Sequence, residues 1–271
     1  EVNEILAQLY ITTKNYKDAL VALDKIKSKS PKAKAAYQKV AYFRGIEYFN
    51  DRDYEMAIGL FTKAIVNDSD PTIRAEAMYW KAESIYNQNK FEAAIKQYRI
   101  FIFNPGSINT PMYNTANYNM GYCNFKLENY QEANTWFRKY LKNKPETDTD
   151  KYNDALIRIG DGFFVLKDYD NALSYYNDAV AANAKASDYC LFQNGIIMGI
   201  RGNMAGKIST MNQLASKYPK SGYTDDALYE KGIATTNLEE RNKLYAQLDQ
   251  MLIDDAPFLP IYNSVNRRLI Q

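Results

Sequence analysis

A small residue, followed twelve positions later by alanine, recurs along this chain and confines what it can fold into. Ala7 and Ala19 begin the series. Gly45 and Ala57, Ala82 and Ala94, Gly121 and Ala133, and Gly160 and Ala172 follow, and Gly195 and Gly232 carry the leading position onward. The leading residues are spaced by 38, 37, 39, 39, 35 and 37 positions. Four residues beyond the second position stands a large apolar side chain: Leu23, Phe61, Tyr98, Phe137, Tyr176, Met211 and Leu248. Three further on comes another apolar set that includes Ile26, Phe101, Tyr140, Leu214 and Met251. Spacings of i, i+4 and i+7 make one stripe of an α-helix. The small leading residue lets a second helix approach closely.

Between the two positions lies a turn of one form: Lys14-Asn15-Tyr16, Arg52-Asp53-Tyr54, Asn89-Lys90-Phe91, Glu128-Asn129-Tyr130 and Lys167-Asp168-Tyr169. Its polar residue suits a turn and a helix cap, and its aromatic packs back onto the first helix. Each unit is therefore a helical hairpin that buries its apolar face only by stacking on its neighbours. The sixth unit is degenerate. Met204 replaces the turn aromatic, Lys207 replaces alanine, and Gly199, Gly202 and Gly206 crowd the turn. Three glycines and a lysine look superficially like a phosphate loop, but no strand signal precedes them and the lysine spacing is wrong. A loosened hairpin is the expectation.

Composition narrows function by exclusion. With 34 basic and 32 acidic residues the net charge is +2, which argues against a nucleic-acid partner. The absence of histidine removes Ser-His-Asp and Cys-His catalysis and imidazole metal sites. Cys123 and Cys190 read as small buried hydrophobes. No apolar run approaches the roughly 18 residues of a membrane span. Glu146, Asp148 and Asp150 read as a solvated loop, and Asp254-Asp255 as a helix end. No enzyme, cofactor or metal is expected.

The hairpin pattern resembles the tetratricopeptide repeat (TPR) family, most clearly in Gly121, Phe125, Tyr130, Ala133, Phe137 and Pro145. The resemblance covers residues 1–234, with the residues beyond the family's usual period falling in loops such as Phe103–Met112 and Leu141–Tyr152. It implies an all-α, right-handed superhelical TPR solenoid of six to seven hairpins. Lys217-Tyr218-Pro219-Lys220-Ser221 and Asp226-Ala227-Leu228-Tyr229 resemble TPR proteins of Gram-negative envelopes, and the Tyr- and Asn-rich composition resembles the Bacteroidetes branch. This implies a periplasmic or outer-membrane-associated location, the signal peptide not being present in this chain.

In that family the first helix of each pair lines a concave surface. The facing positions give Tyr42 and Phe49, Tyr79 and Tyr86, Tyr118, Tyr122 and Phe125, and Phe164 as candidate partner-binding residues, with Ile46, Glu83, Lys126 and Asp161 among their neighbours. Tyrosine offers rigid apolar area with a hydroxyl, which suits a protein or peptide partner. The plainer alternative is that these rings pack between hairpins. The expected function is a non-catalytic interaction scaffold of undetermined partner and oligomeric state.

Residues 235–271 depart from the pattern. Arg241, Leu244-Tyr245, Ala256-Pro257, Pro260 and Tyr262 resemble the C-terminal end of oligopeptide-binding proteins of ABC importers, which implies a role in peptide uptake as the alternative. This segment is expected to form a final helix and an extended, proline-containing tail, as a cap on the solenoid or a foreign segment.

Overall fold

A computed structural model describes residues 2–143 and 149–255. They form fourteen α-helices: α1 (Val2–Thr12), α2 (Tyr16–Asp24), α3 (Pro31–Asn50), α4 (Tyr54–Val66), α5 (Pro71–Asn87), α6 (Phe91–Ile102), α7 (Met112–Lys126), α8 (Tyr130–Lys142), α9 (Thr149–Val165), α10 (Tyr169–Ala181), α11 (Ser187–Ile200), α12 (Met204–Lys217), α13 (Thr224–Ala234) and α14 (Leu238–Asp255). The chain divides into two compact units, Glu1–Asp168 and Tyr169–Gln271. In the first, hairpins α1/α2, α3/α4, α5/α6 and α7/α8 precede α9. In the second, α10 precedes hairpins α11/α12 and α13/α14. The all-α class expected from the repeat is the class observed. Pro145, Glu146, Asp148 and the tail prolines lie outside the described residues.

The small leading residues sit where they were placed by the pattern. A Cβ on Gly45 would lie 2.7 Å from Phe61 Cε1, and one on Gly121 would lie 2.6 Å from Phe137 Cδ1. Phe61 and Phe137 are themselves fully buried. Real side chains do not approach so closely, so glycine here sets the separation of the paired helices. A Cβ on Gly195 would likewise overlap the Met211 methyl.

The hairpin turns share one backbone geometry. Lys14, Arg52, Asn89, Glu128 and Lys167 all take the left-handed conformation, with φ between 57° and 62°. The next backbone N–H reaches back five residues: Asn15 to Tyr10 at 2.8 Å, Asp53 to Tyr48 at 2.9 Å, Asn129 to Asn124 at 2.9 Å and Asp168 to Phe163 at 2.9 Å. This is the Schellman ending of a helix, usually made with glycine. Asn15 and Asp53 also cap the following helix, at 3.2 Å to the Asp18 and Met56 amides. Lys90 and Asn129 make no side-chain cap, so the expected capping role holds for only some turns. Three turn aromatics pack back as expected, Tyr54 on Phe49 at 5.6 Å, Phe91 on Tyr86 at 5.6 Å and Tyr130 on Phe125 at 5.3 Å between ring centroids, whereas Tyr16 stacks forward on Phe43 of α3 at 5.1 Å.

The degenerate sixth turn keeps the same geometry by other means. Gly202 supplies the left-handed residue at φ 74°. Asn203 caps α12 at 2.9 Å to the Gly206 amide. Lys207 is buried, and its stem fills the space left by Gly199, where a Cβ would lie 3.0 Å from Lys207 Cδ. Its ammonium pairs with Glu230 of α13. The three glycines thus serve a turn and a buried lysine.

The last hairpin differs. α13 stops two residues after Gly232, whereas α3, α7 and α11 run five residues past Gly45, Gly121 and Gly195. Its end at Thr235 has φ −82° and no left-handed residue. The partner ring shifts by the same three residues: Tyr245, thirteen after Gly232, lies where a Cβ would come within 2.7 Å, in place of Leu248 at sixteen. Leu244 is buried, so α14 is packed as the second helix of a pair.

The close approach has a direct test. Gly121→Ala gains helix propensity but forces a methyl into the Phe137 ring, and overpacking of this kind costs about 1–3 kcal/mol. Gly59, exposed in α4, has nothing within 4 Å of its Cβ position. Gly59→Ala should therefore stabilise by about 0.5–1 kcal/mol. Urea denaturation followed by circular dichroism should move in opposite directions for the two variants. Equal shifts would remove the packing constraint from the account.

Candidate partner-binding face

Seven of the eight candidate aromatics fall into two sets distinguished by their place in the repeat, and Tyr122 stands at a third position. Tyr42, Tyr79 and Tyr118 stand three residues before the small residue of α3, α5 and α7. Tyr42 and Tyr79 are buried and Tyr118 half-buried. The Tyr118 hydroxyl donates to Asp154 Oδ2 of α9 at 2.8 Å. Tyr122, one turn on, donates to the same oxygen. Their rings meet each other and Phe137 with centroids 5.0–5.7 Å apart. The Tyr42 phenol sits beside Glu76 of α5, and burial together with that carboxylate drives its pKa above the usual value. Glu76 and Asp154 occupy the same place in the repeat, six residues before Ala82 and Gly160. A tyrosine on one first helix thus meets a carboxylate on the next, twice.

Between α5 and α7 the ladder is interrupted, because the matching position on α7 is Thr115. There Glu83 of α5 takes over. Tyr98 donates to Glu83 Oε1 at 2.5 Å, and the Asn119 side-chain amide of α7 reaches the same oxygen. Tyr79 lies against this group, its hydroxyl 3.4 Å from Asn119 Nδ2. Burial raises the Glu83 pKa above 4.5, although the hydrogen bonds of Tyr98, Tyr79 and Asn119 and the charge of Lys151 oppose the shift. Burial first, then Glu83, raises Tyr79 and Tyr98 in turn.

Asp154 is held differently. Arg158 reaches it through Nε at 3.4 Å and binds Asp161 through Nη1 at 2.7 Å. The guanidinium lies 5.8 Å from the Phe125 ring centroid. Tyr86 lies between the two acidic centres: burial, then Cys123, Glu83 and Asp154, push its hydroxyl up to about 12. Burial also pushes the Cys123 thiol up to about 12, which leaves it protonated at neutral pH.

The second set, Phe49, Tyr86, Phe125 and Phe164, stands four residues after the small residue on α3, α5, α7 and α9. All four are half-buried. Phe49 also meets Trp80 of the next hairpin edge-on, at 5.0 Å between centroids. The arrangement is therefore mixed. The tyrosines of the first set pack between hairpins, and the second set forms a partly open aromatic row. Sequence inspection missed Glu76, Asp154, Arg158, Asn119 and Tyr98 as parts of this face. Aligning the column six residues before each small residue exposes the two carboxylates.

Comparison with known proteins follows the repeat. The tetratricopeptide repeat family profile matches residues 42–108 and 82–147. Residues 42–147 are tetratricopeptide repeats. The chain is similar in structure to the MamA protein (TM-score 0.57, 16% identity, covering 69% of this chain and 94% of MamA). It is similar to YrrB, a TPR protein described as having an unusual peptide-binding site (TM-score 0.52, 24% identity, 72% and 91% covered). It is also similar to a tetratricopeptide repeat protein from Parabacteroides merdae (TM-score 0.58, 15% identity, 82% and 81% covered). At these identities the likeness is one of fold, that of the TPR solenoid. No curated protein matches the chain in sequence.

Glu83 gives the TPR face a pH signature. A carboxyl whose folded pKa exceeds its unfolded value binds protons more readily in the folded state, so stability falls as pH rises above about 4.5. Glu83→Gln keeps an acceptor for Tyr98 and removes the titration. Its stability relative to wild type should increase as pH rises above about 4.5 and level off once the folded carboxyl has lost its proton, read from urea midpoints. Parallel pH profiles would show that the carboxylate is not held in a raised state.

Proposed function

We propose that this chain is a non-catalytic protein-interaction scaffold that holds a partner segment against the first-helix face. One observation carries the reading: Phe49, Tyr86, Phe125 and Phe164 recur at one repeat position on four successive first helices and stay partly open. Glu83 and Asp154 hold tyrosines of the adjoining column in place, which gives the row a rigid support. Half-buried aromatics on a rigid backing are the residues that anchor peptide and protein partners. The tetratricopeptide repeat itself and the peptide-binding site ascribed to YrrB support a protein or peptide as the partner class. Both cysteines are buried and the sequence has no histidine, so thiol and imidazole chemistry have no place on this face.

The envelope location, periplasmic or at the outer membrane, belongs to this proposal and rests on sequence resemblance. Among the described residues no helix is long and apolar enough to cross a membrane. The peptide-uptake alternative rests on residues 235–271. Of these, α14 is packed against α13 as a repeat helix, through Tyr245 and Gly232, and this favours the scaffold.

Site-specific photocrosslinking tests the face. A benzophenone side chain at position 49, 86 or 125 should capture a shared partner in cells of the source organism. The same group at the exposed Gln131 of α8 should not. Adducts that are the same from position 131, or absent from all three face positions, would move the binding function elsewhere.

A further inference from the structure

The second helices of the first unit carry a charge pattern that the partner-binding face does not explain. α2, α4, α6 and α8 are successive second helices, so they run in the same direction and their C-terminal ends share one rim. Their first turns carry Asp18, Glu55, Glu92 and Glu132. Their last turns, or the residues just beyond, carry Lys27, Lys63, Arg99 and Lys142, all exposed. The helix dipole favours this polarity. It does not account for what lies among the cations. Val66 is 75% exposed, Phe103 75% and Ile108 64%. Val66 and Phe103 are equivalent residues of adjacent repeats, each nine after its alanine, and Ile108 follows in the 3-10 turn at Pro105–Asn109.

Three acids lie near this rim. Asp68 pairs with Arg74 at 2.5 Å, while Asp24 accepts from the Tyr37 hydroxyl at 2.7 Å and Asp70 caps α5 at 2.8 Å to the Thr72 amide, and Lys27, Lys29, Lys63, Arg99 and Lys142 outnumber the two acids without a cationic partner. A hollow of about 300 Å³ opens between Lys29 and Lys63, with Val66 on its wall. The rim therefore presents lysine and arginine around exposed apolar side chains, with a cationic hollow large enough for a phosphate group.

We propose that this rim rests on an anionic phospholipid surface, with Phe103, Val66 and Ile108 entering the headgroup boundary and the cations meeting lipid phosphates. Interspersed apolar and basic groups are the signature of interfacial binding, and each cation near an anionic bilayer adds to the attraction. A nucleic acid would use the cations and leave the aliphatic and phenyl groups in water, so the apolar component favours lipid. The surface is distinct from the aromatic row, and a partner on the first-helix face leaves it free.

Vesicle co-sedimentation of the full chain decides the matter. Phosphatidylcholine vesicles containing phosphatidylglycerol should pellet the protein, and phosphatidylcholine alone should not. The charge reversal Lys27→Glu, Lys63→Glu, Arg99→Glu should weaken binding by at least about tenfold. Phe103→Ser with Val66→Ser should weaken it as well, at unchanged circular dichroism. Three outcomes overturn the proposal: wild-type protein that stays in the supernatant with both vesicle types, binding indifferent to the charge reversal, or binding to duplex DNA and vesicles alike that ignores the Phe103 and Val66 changes. The last would make the rim a general polyanion site.

Discussion

The close contact between a small residue on the first helix and a large side chain on the second governs this molecule. Gly45 against Phe61 and Gly121 against Phe137 leave no room for even a methyl group. That contact fixes how near the helices lie, and the turn between them must then fit the gap. Five non-glycine residues accept a left-handed backbone to do so. A left-handed residue of this kind carries a strain of about 1–2 kcal/mol. The same Schellman geometry at every one of these turns indicates that packing, not the preference of the turn residue, selects it. The last hairpin supports the same order of causes from the other direction. When α13 ends three residues early, the contact to Gly232 moves three residues early with it, from Leu248 to Tyr245.

The period, the hairpins and the all-α class were legible because they follow from local spacing. A stripe at i, i+4 and i+7 has one sensible burial, and a glycine in a helical stripe signals close approach. The register of the last hairpin was not legible. Leu244, Leu248 and Met251 keep the repeat frame in sequence, and nothing local reveals that α13 stops early. The capping role of Asn129 also fails, although Asn15 and Asp53 in equivalent turns fulfil it. A polar residue permits a cap, and the side-chain rotamer then decides it.

The sixth repeat shows how a departure from the pattern is absorbed. A lysine at the alanine position lacks space and a partner. Gly199 provides the space for its stem and Glu230 the opposite charge, while Gly202 keeps the turn in its left-handed form. A buried lysine that loses its carboxylate is destabilising by several kcal/mol, of order 3–5. Lys207, Gly199 and Glu230 are therefore one structural unit spread over three helices. Read one at a time in sequence, the glycines look like a loop motif. Read with their contacts, they are what permits a lysine in the core.

The candidate face divides along the same line between local and long-range information. Aromatic positions were found by counting from the small residue, but their roles depend on what the next repeat places opposite. At the position three before the small residue, the tyrosine hydroxyl needs an acceptor once its ring is buried. Asp154 provides one for Tyr118, and Glu76 stands beside Tyr42. Where Thr115 leaves that place without a carboxylate, the half-buried Glu83 gathers Tyr98, Asn119 and Tyr79. Hydrogen bonds from one repeat to the next hold these rings at fixed angles, and a phenol that is already donating has less to offer a partner. The ring four after the small residue has no such obligation. At Phe49, Tyr86 and Phe125 it rests on the turn aromatic of its own hairpin and keeps part of its face in solvent. A repeat protein can in this way assign rigidity to one column of its pattern and leave recognition to another, so that changes in the second need not disturb the stacking of the first.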